Sequence, residues 1–224
     1  SSQGLFHSAA VVTTRPLVWA QAAVIICAYC GYKGLDNYSL YAVQVLGMNE
    51  VEGAQLSAYG AFIRPVAAVA AGFLADRWSA SRTIGASFIV LLFTYAMLSI
   101  ALPDGPGLAV IYANIFVSFF AVFALRGVYF ALLEENKTPA YYTGAVTGMV
   151  SFVGYTPEIF FAPITGRILD ASPGLVGHQN YFLFLAAVAA IGIVVVAGLL
   201  RLQRSNSHVS WPRDPALDMK SSTK

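Results

Sequence analysis

The chain has 224 residues, of which 58% are hydrophobic and 11% are charged. Soluble domains carry roughly 25% charged residues, so the composition excludes an ordinary soluble domain and indicates an integral membrane protein. The formal net charge of +2 is too small to indicate binding to nucleic acid, and no such partner is expected.

The chain starts with a polar segment, residues 1–16, that reads "SSQGLFHSAAVVTTRP". It lacks the basic region and apolar core of a signal peptide. We interpret it as the end of a cytoplasmic linker, which predicts that the chain is a fragment of a longer protein.

Six apolar runs follow, each near the length of about 20 residues that a helix needs to cross a bilayer. They predict transmembrane helices at about 17–47, 53–75, 83–103, 107–132, 140–169 and 179–202. The runs are too long for the strands of a membrane barrel, so we expect an all-α fold. Residues 203–224 are predicted to form a polar cytoplasmic tail.

Positive residues predict the orientation, because they are retained on the cytoplasmic side of a membrane. The loops 48–52, 104–106 and 170–178 contain no Lys or Arg. The opposite ends carry Arg15, Arg77, Arg82, Lys137, Arg201, Arg204, Arg213, Lys220 and Lys224. Both termini are therefore predicted to lie in the cytoplasm, with the chain in the bacterial inner (plasma) membrane.

Ionisable residues inside the predicted spans are candidates for function, because burying one in lipid costs at least ~2.5–3.5 kcal/mol. They are Lys33, Asp36, Arg64, Arg126, Glu158 and Arg167. Arg64 lies near the middle of the second span and precedes Pro65, which should loosen the backbone there. An Arg can grip a carboxylate or phosphate with two hydrogen bonds. We favour an anion-binding role over a permanent ion pair that serves folding.

A stripe of small and polar residues marks the fifth span. Gly144, Ser151, Glu158 and Thr165 recur every seven residues. The spacing places them on one helix face, where the glycines are expected to allow close packing. Glu158, with Tyr155 close by, is interpreted as a proton acceptor or as the structural counter-ion of Arg64 or Lys33.

In the first span, Lys33 and Asp36 are three residues apart and can pair on one helix face. Tyr29 and Tyr32 each precede one of them by four residues, and two nearby glycines predict a local break in the helix. This pattern predicts a polar, aromatic wall near an outer gate.

The other charged residues have weaker roles. Arg126, near the cytoplasmic end of the fourth span, is expected either to extend towards the interface or to form an inner gate pair. Arg167 and Asp170 are expected to pair at the outer surface.

Cys27 and Cys30 form a C-x-x-C within an apolar run, without the second pair that a zinc site needs. We expect packing residues, and no metal or cofactor. His7, His178 and His208 all lie outside the predicted spans. Because a membrane-embedded Ser–His dyad needs a histidine within the membrane, we do not expect an enzyme.

The stretch "GFLADRWSASR" resembles a loop motif of the major facilitator superfamily, G-x-x-x-D-R-x-G-R-[RK]-[RK]. Gly72, Asp76 and Arg77 match in order, after the second span and on the predicted cytoplasmic side. Ser79 stands where a second Gly is usual, and Arg82 remains of the basic run. The resemblance implies a cytoplasmic gating motif in which Asp76 and Arg77 latch one face by charge pairing and contact with a helix terminus.

Further segments support this resemblance. "GFLAD" closes the second span and "GRILD", residues 166–170, closes the fifth. These spans are equivalent under the 3+3 inverted repeat of this transporter fold. "FALRGVYFALLEE", "GYTPEIF" and "GHQNYF" are similar to segments of its YihN-type bacterial branch. The chain thus resembles the C-terminal half, helices seven to twelve, of a twelve-helix protein.

The resemblance implies secondary active transport by alternating access, with a missing N-terminal half, a proton or counter-substrate and membrane lipid as partners. The intramembrane cations favour a small anionic solute. The candidate translocation residues are Tyr29, Tyr32, Lys33, Asp36, Arg64, Arg126, Tyr155 and Glu158. The alternative is a membrane scaffold or accessory half-protein that does not transport.

Overall fold

The computed structural model describes residues 2–104, 107–205 and 211, with side chains from residue 8 onwards. All regular elements in this part of the chain are helical. The α-helices are α1 (Ser2–Thr13), α2 (Pro16–Gly34), α3 (Tyr38–Gln44), α4 (Glu50–Ala61), α5 (Arg64–Arg77), α6 (Ala80–Ile100), α7 (Gly107–Val128), α8 (Leu132–Glu135), α9 (Ala140–Gly154), α10 (Pro157–Ala171) and α11 (Leu175–Ser205). The expected all-helical architecture is confirmed over the described residues.

Within the described residues, six helical segments are long and apolar enough to cross a membrane, as the sequence predicts. They are Pro16–Gln44, Glu50–Arg77, Ala80–Ile100, Gly107–Glu135, Ala140–Ala171 and Leu175–Ser205, and are called the first to sixth spans below. The second span starts where Asn49 accepts from the Glu52 N–H and the Glu52 carboxylate accepts from the Asn49 N–H, both at 2.9 Å. This capping box satisfies two backbone donors that the helix itself leaves unpaired.

Four of the six spans are interrupted along their length. The interruptions lie at Leu35–Asn37 in the first span, 62–63 in the second, Tyr129–Ala131 in the fourth and 155–156 in the fifth. In the second and fifth spans a proline, Pro65 or Pro157, stands in the first turn of the new helix. Proline suits that position because it has no N–H to leave unpaired and its φ is already helical. The break that the glycines predict in the first span is present.

The predicted linker and tail are partly described. Residues 2–13 of the linker form α1, and the last span continues to Ser205. Trp211 stacks on Tyr142 at 5.2 Å between ring centroids, and the guanidinium of Arg15 lies 5.0 Å from the Trp211 ring. The other residues of the predicted tail, 206–210 and 212–224, lie outside the described residues.

The six spans differ in how far they are covered by the rest of the chain. The sixth packs along the third and the first, the fourth along the second and third, and the fifth against the first. The second and fifth spans are the least buried, with 17% and 28% of their most apolar window covered, against 33% to 56% for the others. One exposed face of the second span carries the apolar stripe Tyr59, Phe62, Val66, Val69 and Phe73. In a membrane such faces meet lipid or a further helical unit.

Glycines allow the closest helix contacts, but at positions other than the predicted stripe. A Cβ at Gly154, the last residue of α9, would overlap the side chain of Ile25 in the first span. A Cβ at Gly144 would have no neighbour within 4 Å among the described atoms. The expected packing role of the stripe therefore does not hold for Gly144, which faces outward.

Replacing Gly154 with alanine is expected to destabilise the protein by about 1–3 kcal/mol, because the added methyl overpacks the contact with Ile25. Gly144→Ala is the matched control, since its methyl would meet no described atom within 4 Å and alanine is the better helix former. Thermal unfolding in detergent should show a lower midpoint for Gly154→Ala alone. Equal midpoints for the two variants would contradict the close contact.

Buried polar groups tie the first span to its neighbours. The hydroxyls of Tyr38 and Ser118 lie 2.7 Å apart, and the Tyr181 hydroxyl donates to the Gly34 carbonyl at 2.7 Å. His178 is fully buried, with its Nε2 3.0 Å from Gln44 Oε1. Its predicted position outside the spans is wrong, because α11 begins at Leu175.

The two cysteines are packing residues in the structure. Cys27 and Cys30 are both free and buried within the first span.

Candidate functional site

Seven of the eight predicted translocation residues lie together. They are Tyr29, Tyr32, Lys33 and Asp36 of the first span, Arg126 of the fourth, and Tyr155 and Glu158 of the fifth, and are called the polar cluster below. Residues more than 120 positions apart in the chain, such as Tyr29 and Glu158, meet there. The cluster is thus a product of tertiary packing between three spans.

Lys33 joins the two carboxylates of the polar cluster. Its Nζ lies 2.7 Å from Asp36 Oδ2 and 3.5 Å from Glu158 Oε1. The Tyr29 hydroxyl donates to Glu158 Oε2 at 2.7 Å. Of the two counter-ions that the sequence left open for Glu158, the structure shows Lys33 and not Arg64. Both carboxylate side chains remain more than half exposed, at 57% for Asp36 and 56% for Glu158.

Arg126 occupies a different position from either that the sequence suggested. Its guanidinium carbon lies 3.8 Å from the centroid of the Tyr32 ring and 5.9 Å from that of Tyr29. This cation–π contact holds the guanidinium against the rings, and no carboxylate among the described residues pairs with it.

The Nη1 of Arg126 is buried and has no hydrogen-bond partner among the described residues. A buried charged donor without a partner is costly. Arg126 Nη1 can therefore donate a hydrogen bond to an oxygen of a ligand or of water. The Lys33 cation, by contrast, is shared between two carboxylates.

Tyr129 extends the polar cluster and was missed by the sequence analysis. Its hydroxyl lies 3.1 Å from that of Tyr155, whose ring is 4.9 Å from the Tyr29 ring. Tyr129 follows Arg126 by three residues, so the spacing that pairs residues on one helix face could have indicated it. The four tyrosines of the site provide both aromatic faces and hydroxyl groups.

The polar cluster lies beside interruptions in all three contributing spans. Lys33 and Asp36 flank the change from α-helix to 3-10 helix in the first span. Arg126 comes two residues before the end of α7, and Tyr155 occupies the break between α9 and α10. Interrupted helices free backbone groups at mid-depth and are typical of transporter binding sites.

Arg64, the eighth predicted residue, forms no hydrogen bond, ion pair or cation–π contact with the polar cluster among the described residues. It is exposed at the start of α5, and no ion pair or hydrogen bond of its side chain occurs among the described residues. Ala68, one turn later, lies against Gly127, the neighbour of Arg126. Because four residues of helix rise about 6 Å, Arg64 lies about one turn from the depth of Arg126.

At the loop motif, Ser79 has a local structural role. The Ser79 hydroxyl accepts from the Arg82 N–H at 3.3 Å and so caps the third span. Serine is among the preferred residues for this position.

Beside the loop motif, Glu135 contacts the N-terminal end of the third span. Glu135, at the end of the fourth span, accepts from the Ser81 N–H at 2.8 Å. Gln203 of the sixth span donates to Glu135 at 3.4 Å and to Asn136 at 2.8 Å. Asp76 and Arg77 are exposed and form no ion pair within the described part of the chain.

Arg167 and Asp170 are both exposed and do not form the expected ion pair in the described chain. Among the described residues, no group of three or more His, Cys, Asp or Glu side chains could hold a metal ion.

The chain is similar to two inner membrane proteins of Escherichia coli (strain K12). It is 26% identical to the inner membrane protein YqcE over 199 residues, which cover 87% of this chain and 46% of YqcE. It is 39% identical to the inner membrane protein YihN over 80 residues, which cover 36% of this chain and 19% of YihN. No protein-family model matches the chain, and no solved structure is significantly similar to it.

The six membrane-capable helices and the two inner-membrane relatives support a location in an inner membrane. The predicted likeness to the YihN-type branch agrees with the 80-residue match. The chain spans at most about half the length of the curated relatives that it matches.

Proposed function

We propose that this chain is one six-helix half of a major facilitator superfamily transporter and moves a small anionic organic solute by alternating access. The observation that carries the proposal is the polar cluster, which gathers cations, carboxylates and tyrosines at the interruptions of three spans. Transport is coupled to a proton or a counter-substrate.

The exposure of the polar cluster supports a water-filled cavity, and not lipid, as the environment of its carboxylates. Asp36 and Glu158 are more than half exposed although both lie well inside their spans. A charged side chain facing lipid at such a position costs at least ~2.5–3.5 kcal/mol. A water-filled cavity or a second protein unit on this side removes that cost, and a transport path between two halves supplies both.

Two features support a missing N-terminal half. The alignment with YqcE covers 46% of that protein, which leaves room for a second unit of similar size. The second and fifth spans, which are equivalent under a 3+3 inverted repeat, are also the two least buried. In the full protein their open faces pack against the other half.

The charges of the polar cluster favour an anion and a coupled proton. Lys33 and Arg126 are balanced by Asp36 and Glu158, so the empty cluster is formally neutral. Arg126 provides a buried donor that has no partner among the described residues, and Arg64 provides a third cation at a depth about one turn away. A bound anion adds a negative charge, which a proton taken up by Glu158 offsets.

The loop motif acts as the gate in this proposal. Asp76 and Arg77 are exposed on the side that carries the Lys and Arg residues, where they can pair with groups of the other half. This side faces the cytoplasm, as do both termini.

Uptake into proteoliposomes that contain the full-length protein tests the proposal. A panel of small carboxylates and phosphate esters, at pH values on either side of neutrality, should reveal saturable uptake of at least one anion. Arg64→Ala should weaken that uptake if Arg64 lines the same path. A correctly folded protein with no flux of any anion at either pH would contradict transport and favour the scaffold alternative.

A further inference from the structure

A groove of about 340 Å³ lies on the side of the bundle that carries the Lys and Arg residues, away from the polar cluster. It is formed by the end of the second span, the start of the third, and the ends of the fourth and sixth. Trp78, Arg82, Leu200, Gln203 and Arg204 line it, together with Ser79 and Glu135. From this groove we propose a binding site for the headgroup of an anionic phospholipid.

The groove offers basic side chains for the phosphate of such a lipid and apolar surface for its acyl chains. Arg82 is exposed on one wall and forms no ion pair with described residues, and Arg204 lies on another. Trp78, which is 54% exposed, and Leu200 supply apolar surface for the upper part of the acyl chains. Basic pockets between helices on the cytoplasmic side are a known form of anionic lipid site.

The acidic residue of the groove is already engaged. Glu135 accepts hydrogen bonds from the Ser81 N–H and from Gln203. Two further arginines, Arg77 and Arg201, lie at the ends of the same spans. Two further acidic residues, Asp76 and Glu134, line a neighbouring pocket that shares Ser79 and Glu135 with the groove. Because the four arginines still outnumber the three carboxylates, the local balance of charge favours a phosphate over a cation.

The position of the groove favours a lipid, and not a soluble anion, as its ligand. It lies at the ends of membrane-capable helices, at the level of the headgroups, and tryptophan is enriched at that interface. The lipid phosphate is held by Arg82 and Arg204, while Trp78 contacts the glycerol and the first methylenes. The lipid site can be tested without a transport assay, because the experiment measures lipid binding alone.

Lipid titration of the purified full-length protein tests this site. Phosphatidylglycerol, added to detergent micelles, should raise the thermal midpoint by about 2–4 °C. Phosphatidylcholine should not. Arg82→Ala should weaken phosphatidylglycerol binding about fivefold, the share expected of one basic residue near a lipid surface.

Arg167→Ala, at the opposite end of the bundle, is the matched control and should bind like the wild type. Arg204→Gln provides a second variant if Arg82→Ala does not fold. Equal stabilisation by the two lipids, or equal losses in Arg82→Ala and Arg167→Ala, would overturn the proposal. Displacement of the lipid by inorganic phosphate alone would also overturn it, since the groove would then be a site for a soluble anion.

Discussion

Replacing Arg126 with alanine is expected to lower the uptake of an anionic solute by about 10- to 100-fold at subsaturating concentration. The guanidinium lies on the Tyr32 ring, and its Nη1 is buried without a hydrogen-bond partner among the described residues. It is therefore the donor of the polar cluster that an anion can satisfy. A hydrogen bond to a charged group contributes about 1.5–3 kcal/mol, and each 1.4 kcal/mol is about tenfold in affinity. Initial rates over a range of solute concentrations in proteoliposomes would measure the change.

Arg126→Lys tests whether the positive charge of Arg126 is sufficient or whether the shape of its guanidinium is also needed. Lysine keeps the positive charge but lacks the planar, forked guanidinium that stacks on a ring and binds an oxyanion through two donors. We therefore expect uptake between that of wild type and Arg126→Ala. Arg167→Ala, which removes an exposed arginine outside the cluster, should leave the solute affinity unchanged. An Arg126→Ala protein that folds and transports with wild-type affinity would place the anion elsewhere.

Glu158→Gln is expected to abolish accumulation driven by a pH gradient while exchange of internal for external solute continues. The amide oxygen can still accept from the Tyr29 hydroxyl, so the local geometry is retained. Lys33 keeps its closer partner, Asp36, at 2.7 Å. What the substitution removes is a carboxylate that can take up a proton. Counterflow and pH-driven uptake, measured on the same proteoliposomes, separate the two activities.

Asp36→Asn is the matched control for this prediction, because it removes the other carboxylate that pairs with Lys33. It should alter affinity but keep the response to a pH gradient. If Glu158 is only a counter-ion of Lys33, Glu158→Gln and Asp36→Asn should impair both activities alike, and the Lys33→Met/Glu158→Gln double variant should recover them. That recovery would contradict the proton role of Glu158.

Much of the candidate site could be predicted from the sequence, because charge inside an apolar run is costly wherever the helix ends up. Lys33, Asp36, Arg126 and Glu158 were all indicated by that cost alone. The pairing of Lys33 with Asp36 follows from a spacing of three residues on one helix and is observed at 2.7 Å. Helix spacing fixes such neighbours before any tertiary contact forms.

The sequence could not predict which arginine contacts the polar cluster. Arg64 and Arg126 are both arginines within predicted spans, and the sequence favoured Arg64 because of its depth and the following proline. Only the packing of the first span against the fourth places Tyr32 against Arg126. Glu135 and Gln203, which meet at the start of the third span, likewise lie 68 residues apart in the chain.

The sequence by itself determined that the chain is helical, that it has six segments able to cross a membrane, and which charges are too costly to face lipid. Those properties depend on composition and on distances along one helix, and both can be read from short stretches of the sequence. The partner of Glu158, the burial of His178 and the outward position of Gly144 were decided only by tertiary structure. They depend on which helix faces meet, and six similarly apolar spans can be arranged in many ways that the residues of any one span do not distinguish.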